Sequence, residues 1–179
     1  MDKPIIPHEI RKAFEGRVVS VTVESVTLPK GHRVEVEVVR HPPSVVLIPM
    51  DGEGEVILVR QYRYAIGRYA WELPAGTLKP GEDPVKAAER ECHEEIGLIP
   101  SKLERLGAFF PTPGYCDEEM IFFRASGLRE PGKGDEDAQP DEDEDIEPRS
   151  FSLDDLERMI DNGEVIDLKT VAGVALLRR

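Results

Sequence analysis

The sequence predicts a mixed α/β protein preceded by a small antiparallel sheet, and three patterns carry that prediction. Residues 18–24 and 34–39 are rich in valine and alternate with polar residues, as half-buried antiparallel strands do. Residues 44–50 form a short apolar run suited to a buried strand. Residues 84–96 lie between a good helix start and a good helix stop.

Taken in order, residues 1–16 read as a loose arm or a short helix. A sheet follows over 17–40, with a turn at Leu28-Pro29-Lys30-Gly31. His41-Pro42-Pro43 breaks the pattern, so residues 1–42 are expected as an N-terminal arm and sheet and 43–179 as the main domain. Strands are expected at 44–49 and 55–61, separated by Asp51-Gly52-Glu53-Gly54, and another through Trp71 and Glu72. Asp83 is a suitable N-cap, Pro84 suits the first helical position and Gly97 ends the helix. Strands resume near 104–110 and 119–125. An acidic loop spans 129–148, Phe151 closes a strand, and helices cover 153–162 and 168–177. No internal repeat is present.

Composition narrows the function. The net charge is −13, from 23 basic and 36 acidic residues, and nine of the acids fall within 135–147 with no base among them. A broad nucleic-acid surface is therefore not expected, since phosphate neutralisation needs clustered Lys and Arg. The longest apolar run is far short of the roughly 20 residues of a membrane span. The N-terminus lacks the plan of a signal peptide. Cys92 and Cys116 stand far apart in no zinc pattern, which fits reduced thiols in a cytoplasmic protein.

The chemistry concentrates between Gly76 and Leu98. Glu91 and Glu95 are four residues apart and share one face of the expected helix, with Glu94 beside them. Like charges at that spacing repel. Val85, Ala88 and Cys92 are expected on the opposite, packed face. A solvated acidic face is the bland explanation. A face built for hard cations is the sharper one, because carboxylates and carbonyls suit Mg²⁺ or Mn²⁺. Arg90 is placed to steady one of the carboxylates.

The ordered set Gly76, Glu82, Arg90, Glu91, Glu94, Glu95 and Gly97 resembles the Nudix box, departing from it only where Cys92 takes an aliphatic place. A free Cys packs as a small hydrophobe. The flanking runs Glu72-Leu73-Pro74-Ala75 and Arg60-Gln61-Tyr62-Arg63-Tyr64, and Pro113-Gly114-Tyr115-Cys116-Asp117-Glu118 sixteen residues past Gly97, are similar to the ADP-ribose and nucleoside-diphosphate-sugar pyrophosphatase branch. That resemblance implies an α/β/α sandwich with a mixed sheet and hydrolysis of a diphosphate bond in a nucleotide-sugar substrate. It also implies a homodimer that exchanges the N-terminal sheet, with no membrane partner. By the same resemblance, the Ala75 carbonyl, Glu91, Glu95 and Glu144 hold two or three Mg²⁺ ions. Glu142 is the general base, exchangeable with Glu144 in the degenerate acidic run. Arg63 grips the diphosphate, Glu72 touches substrate or orients Arg63, and Glu82 and Glu94 assist. Tyr62, Tyr64, Tyr69, Trp71 and Tyr115 are available to stack on a base. The rival readings are a Nudix hydrolase of dinucleoside polyphosphates or nucleoside triphosphates, and a non-catalytic nucleotide sensor.

Overall fold

Strands β1 (Glu9–Glu15), β2 (Ser20–Thr27) and β3 (Arg33–Arg40) pair antiparallel in that order. They belong to a computed structural model that describes residues 4–135 and 146–178. Residues 9–15 are therefore a strand, not the loose arm or short helix expected over 1–16. Every side chain of β1 is exposed, so its sequence carries no alternation. Main-chain pairing along β2, from Glu9 opposite Ser25 to Glu15 opposite Ser20, makes the strand. Gly31, at φ 88°, lets the β2–β3 turn close with its N–H donating to the Leu28 carbonyl at 2.8 Å.

The chain divides into two compact units, Met1–Pro43 with Phe110–Glu119, and Ser44–Phe109 with Met120–Arg179. In the first, Tyr115 and Asp117 extend the sheet: the Val39 N–H donates to the Tyr115 carbonyl at 2.7 Å. Glu24 is buried on β2 and accepts from Thr22 Oγ1 at 2.7 Å and from Arg40. Arg40 in turn donates to Asp117 at 2.8 Å.

In the second unit the order is β4 (Ser44–Pro49), β5 (Val56–Arg63), β6 (Arg68–Glu72), β7 (Ala75–Thr77), α1 (Pro84–Ile96), β8 (Ile99–Phe109), β9 (Met120–Arg129), β10 (Glu147–Phe151), α2 (Leu153–Asp161) and α3 (Leu168–Leu177). One sheet runs β7-β4-β9-β8 and is mixed, because β4 and β9 are parallel; the other, β10-β5-β6, is antiparallel. The period of two sorts the strands between two cores. Val45, Leu47, Ile57, Val59, Ile121 and Phe123 pack with Ala87, Ala88, Cys92 and Ile96 of α1. Val46, Ile48, Val56, Leu58 and Phe122 pack with Leu156, Met159 and Val174 of α2 and α3. This is an α/β/α sandwich. It explains why β4 reads as an unbroken apolar run: both of its faces are covered. Each fully buried Leu or Phe contributes about 1.5–3 kcal/mol.

Candidate active site

Helix α1 starts and stops as its sequence directs. Asp83 Oδ1 accepts from the Val85 and Lys86 N–H groups at 2.9 and 3.3 Å, and Gly97 adopts the left-handed conformation at the C-terminus. The face it buries differs from the sequence expectation. Val85 is 41% exposed, whereas Glu91 and Glu95 are 8% and 7% exposed. Ala87, Ala88, Cys92 and Ile96 supply the apolar contact, and the two carboxylates lie at its edge against β7.

Strand β7 is too short to show a pattern in the sequence, and it explains the first glycine of the motif. A Cβ on Gly76 would stand 1.9 Å from the carboxyl carbon of Glu91. Only a residue without a side chain lets that carboxylate lie against the strand. Next to it, the Ala75 N–H donates to Glu95 Oε1 at 3.2 Å. Pro74 and Gly76 face β4, since the Leu47 N–H donates to the Pro74 carbonyl at 2.8 Å and Val45 pairs with Gly76. Strand alternation therefore turns both main-chain polar groups of Ala75 away from β4, on the side where Glu95 lies.

Arg90 ties the motif together. It donates to Glu82 from Nε at 2.9 Å and from a terminal nitrogen at 3.0 Å, and from the other terminal nitrogen to Glu91 and Glu94, both at 2.6 Å. One guanidinium thus restrains three carboxylates, where the sequence suggested one. Glu82 also accepts from the Lys79 N–H at 2.8 Å. Bonding from Arg90 holds the Glu82 carboxyl below its ordinary pKa against the opposing effect of burial. Glu82 and its neighbours raise Arg90 further above its own.

A second network lies at the end of β5 and β6. Arg63 donates to both oxygens of Glu72 at 2.8 Å each, a two-pronged bond. Glu72 is 4% exposed and also accepts from Lys169 on α3, which is itself buried and lies 3.1 Å from Asp167. Burial pushes the Glu72 carboxyl up, but Arg63 and Lys169 outweigh it and hold the pKa below its ordinary value. Glu72 raises the Arg63 pKa against burial, and Glu95 and Asp167 add to it through space.

Lys169 was missed from sequence. The available clue was its place in the first turn of an expected helix, where the helix dipole disfavours a cation unless carboxylates hold it.

The donor set suits a hard divalent cation. Among the described residues no three carboxylate, imidazole or thiolate side chains converge on one point. Two buried carboxylates beside a carbonyl still match Mg²⁺, which typically uses one or two carboxylates and completes its shell with water and phosphate oxygens. Glu142 and Glu144 lie outside the described residues. Cys92 is no nucleophile: burial, then the nearby Glu95, pushes its thiol pKa up to about 12. Of the candidate stacking rings, Trp71 packs edge-on against Phe151 at 5.0 Å. Tyr69 lies edge-on to Tyr62 at 5.3 Å and beneath Arg60 at 4.2 Å. Tyr64 is 92% exposed. No helix among the described residues is long and apolar enough to cross a membrane.

Comparison with known proteins gives the family and the fold. A family model described as the NUDIX domain matches residues 40–172. An ADP-ribose pyrophosphatase of Bacillus subtilis is 36% identical over 165 residues, 92% of this chain and 88% of the relative. A methanol dehydrogenase activator of Bacillus methanolicus is 38% identical over the same shares. An ADP-ribose pyrophosphatase of Mycobacterium tuberculosis is 35% identical over 89% of this chain and 76% of its own. A crystal structure of an ADP compounds hydrolase shares the fold with a TM-score of 0.81 at 20% identity, covering 98% of this chain and 93% of that one.

Proposed function

The chain belongs to the Nudix family and is a Nudix hydrolase, and from that premise we propose that it hydrolyses the diphosphate bond of ADP-ribose or a related nucleoside diphosphate sugar, releasing a nucleoside monophosphate and a sugar phosphate. One observation carries the reading: Glu91 and Glu95 are seated on the Ala75-Gly76 strand, and the segment leading into that strand starts at Glu72, which holds Arg63 in a two-pronged bond. The names of the Bacillus subtilis and Mycobacterium tuberculosis relatives favour ADP-ribose over other nucleotides.

The Ala75 carbonyl, Glu91, Glu95 and Glu144 would hold Mg²⁺, or Mn²⁺ in its place, as two or three ions. These cations supply charge neutralisation for the diphosphate and acidify the attacking water. Arg63 binds and orients the diphosphate. Glu72 acts through Arg63, since it is buried beneath that side chain. Arg90 keeps Glu91 and Glu94 from turning away under mutual repulsion. Glu142 accepts the proton of the attacking water. The N-terminal sheet is exchanged between the subunits of a homodimer: Ile10, Phe14 and Val18 are exposed on this unit, and a partner subunit would cover them.

A panel of ADP-ribose, ADP-glucose, GDP-mannose, NADH, diadenosine polyphosphates and ATP, read for phosphate-containing products with Mg²⁺, tests the substrate. AMP and ribose 5-phosphate from ADP-ribose are expected. Preferred cleavage of ATP or a diadenosine polyphosphate would overturn the substrate class, and no turnover of any would favour a nucleotide sensor. Glu142→Gln should lower kcat by about 10²–10⁴-fold with KM within a few-fold. Sedimentation showing only a 20.1 kDa species at micromolar concentration would refute the dimer.

A further inference from the structure

We propose that Lys169 is a positioning residue: from the first turn of α3 it pins Glu72, and Glu72 so pinned fixes the direction and the unspent charge of Arg63. This rests on the reading of Arg63 as the diphosphate-binding cation. Four charged groups form an alternating chain, Asp167, Lys169, Glu72 and Arg63. The first three side chains are 19%, 7% and 5% exposed and Arg63 is 42% exposed. The chain therefore has a buried root and one open end, and that end is the guanidinium.

The root is anchored to the scaffold. Asp167 caps α3 by accepting from the Thr170 N–H at 3.0 Å and from Thr170 Oγ1 at 2.6 Å. The same Thr170 oxygen accepts from the Leu73 N–H at 2.8 Å. Gly173 lets Leu73 approach so closely that a Cβ there would meet its methyl at 2.3 Å. Helix α3 thus grips Glu72 and Leu73, the residues leading into the Ala75-Gly76 strand.

Two consequences follow for Arg63. Its Nε and one terminal nitrogen are both spent on Glu72, so the plane of the guanidinium is set by the carboxylate, and Lys169 stops that carboxylate from turning. Lys169 also shares the charge of Glu72. Without it, Glu72 would neutralise Arg63 alone and leave less positive potential for an anion.

The test compares Lys169→Met, Lys169→Gln and Lys169→Arg with the parent, in the presence and absence of Arg63→Ala. Folding of each is checked by circular dichroism, and Lys169→Gln serves if Lys169→Met fails to fold. At fixed saturating Mg²⁺, Lys169→Met should raise KM for ADP-ribose at least about fivefold with kcat within about twofold, and Lys169→Arg should restore KM. In the Arg63→Ala background the same change should raise KM no further. An equal rise in both backgrounds overturns the proposal. Exchange of the Arg63 Nε proton with water, followed by ¹⁵N NMR, supplies a readout independent of catalysis. It should quicken in Lys169→Met and return to the parent rate in Lys169→Arg; unchanged exchange in Lys169→Met overturns the proposal whatever KM does. If exchange quickens but Arg63→Ala leaves KM unchanged, the positioning stands and the anion-binding reading of Arg63 fails.

Discussion

Two ion networks meet the segment that contains the Ala75-Gly76 strand, and their stoichiometries differ. Around Arg90, one cation is shared by Glu82, Glu91 and Glu94, with Glu95 one turn of helix from Glu91. Around Glu72, one carboxylate is shared by Arg63 and Lys169. The first network carries a surplus of carboxylates, whereas the second, with Asp167 beside Lys169, balances two carboxylates against two cations and leaves the Arg63 guanidinium as its one open end. The first offers negative charge to cations. The second offers a guanidinium to an anion. A site for a metal-bound diphosphate needs both signs fixed on one framework, and here the segment from Glu72 to Thr77 meets both networks, accepting from Arg63 at one end and from Arg90 at the other.

The comparison breaks most visibly at Glu95. Glu95→Gln keeps the volume and removes one charge from the acidic patch, and kcat should fall at least about a hundredfold, as it should for the parent in excess EDTA. Unchanged turnover in either case would remove the acidic patch from the reaction. Gly76→Ala should come next. The added Cβ collides with the flexible end of Glu91 rather than with main chain. Turnover should drop about ten- to a hundredfold, because a carboxylate displaced by about 1 Å is misplaced for catalysis. Thermal stability should hold within a few degrees. A large fall in Tm would show that the strand, not the carboxylate, had moved.

Arg90→Met and Lys169→Met sharpen the contrast. Arg90→Met should destabilise by about 2 kcal/mol, since solvent reaches part of its network, and Lys169→Met by about 3 kcal/mol, since its pair with Glu72 is buried. Added Mg²⁺ should restore much of the loss in Arg90→Met, since a bound cation stabilises the crowded carboxylates by mass action. It should restore little in Lys169→Met. Calorimetry with and without Mg²⁺ decides, and equal rescue would erase the distinction. The smallest effect belongs to Glu82→Gln. Glu82 has a folded pKa below its ordinary value near 4.5, so its contribution is present above the unfolded pKa and lost as pH falls through the folded one. The stability gap between parent and Glu82→Gln should be about 1 kcal/mol at pH 7 and shrink below about pH 4.5. A gap independent of pH would show that the carboxylate charge is irrelevant there.

Much of this architecture was legible because it rests on local rules. Asp83, Pro84 and Gly97 delimit α1, and the boundaries of β4 and α3 match those read from the sequence. What escaped is what depends on a distant partner. Strand β1 has no pattern of its own and exists by pairing with β2. The three residues of β7 are too few to show a period and are held by β4. Burial of Glu91 and Glu95 beside apolar Cys92 inverts the usual sorting of a helix, and only the glycine in front of them makes room for it. Lys169 lies 97 residues from the carboxylate it holds, beyond any local rule.

That separation also has a meaning in time. The Glu72–Lys169 and Leu73–Thr170 bonds each close a span of 97 residues, and β4 pairs in parallel with β9 across a long crossover. Contacts of such high sequence separation form late and slowly. During synthesis the Glu-rich helix is made well before α3. The emerging protein therefore has its acidic residues long before Arg63 acquires its anchor, and a chain that stops short of residue 168 lacks that anchor altogether. Translation of α3 completes the anchoring of a side chain made about a hundred residues earlier.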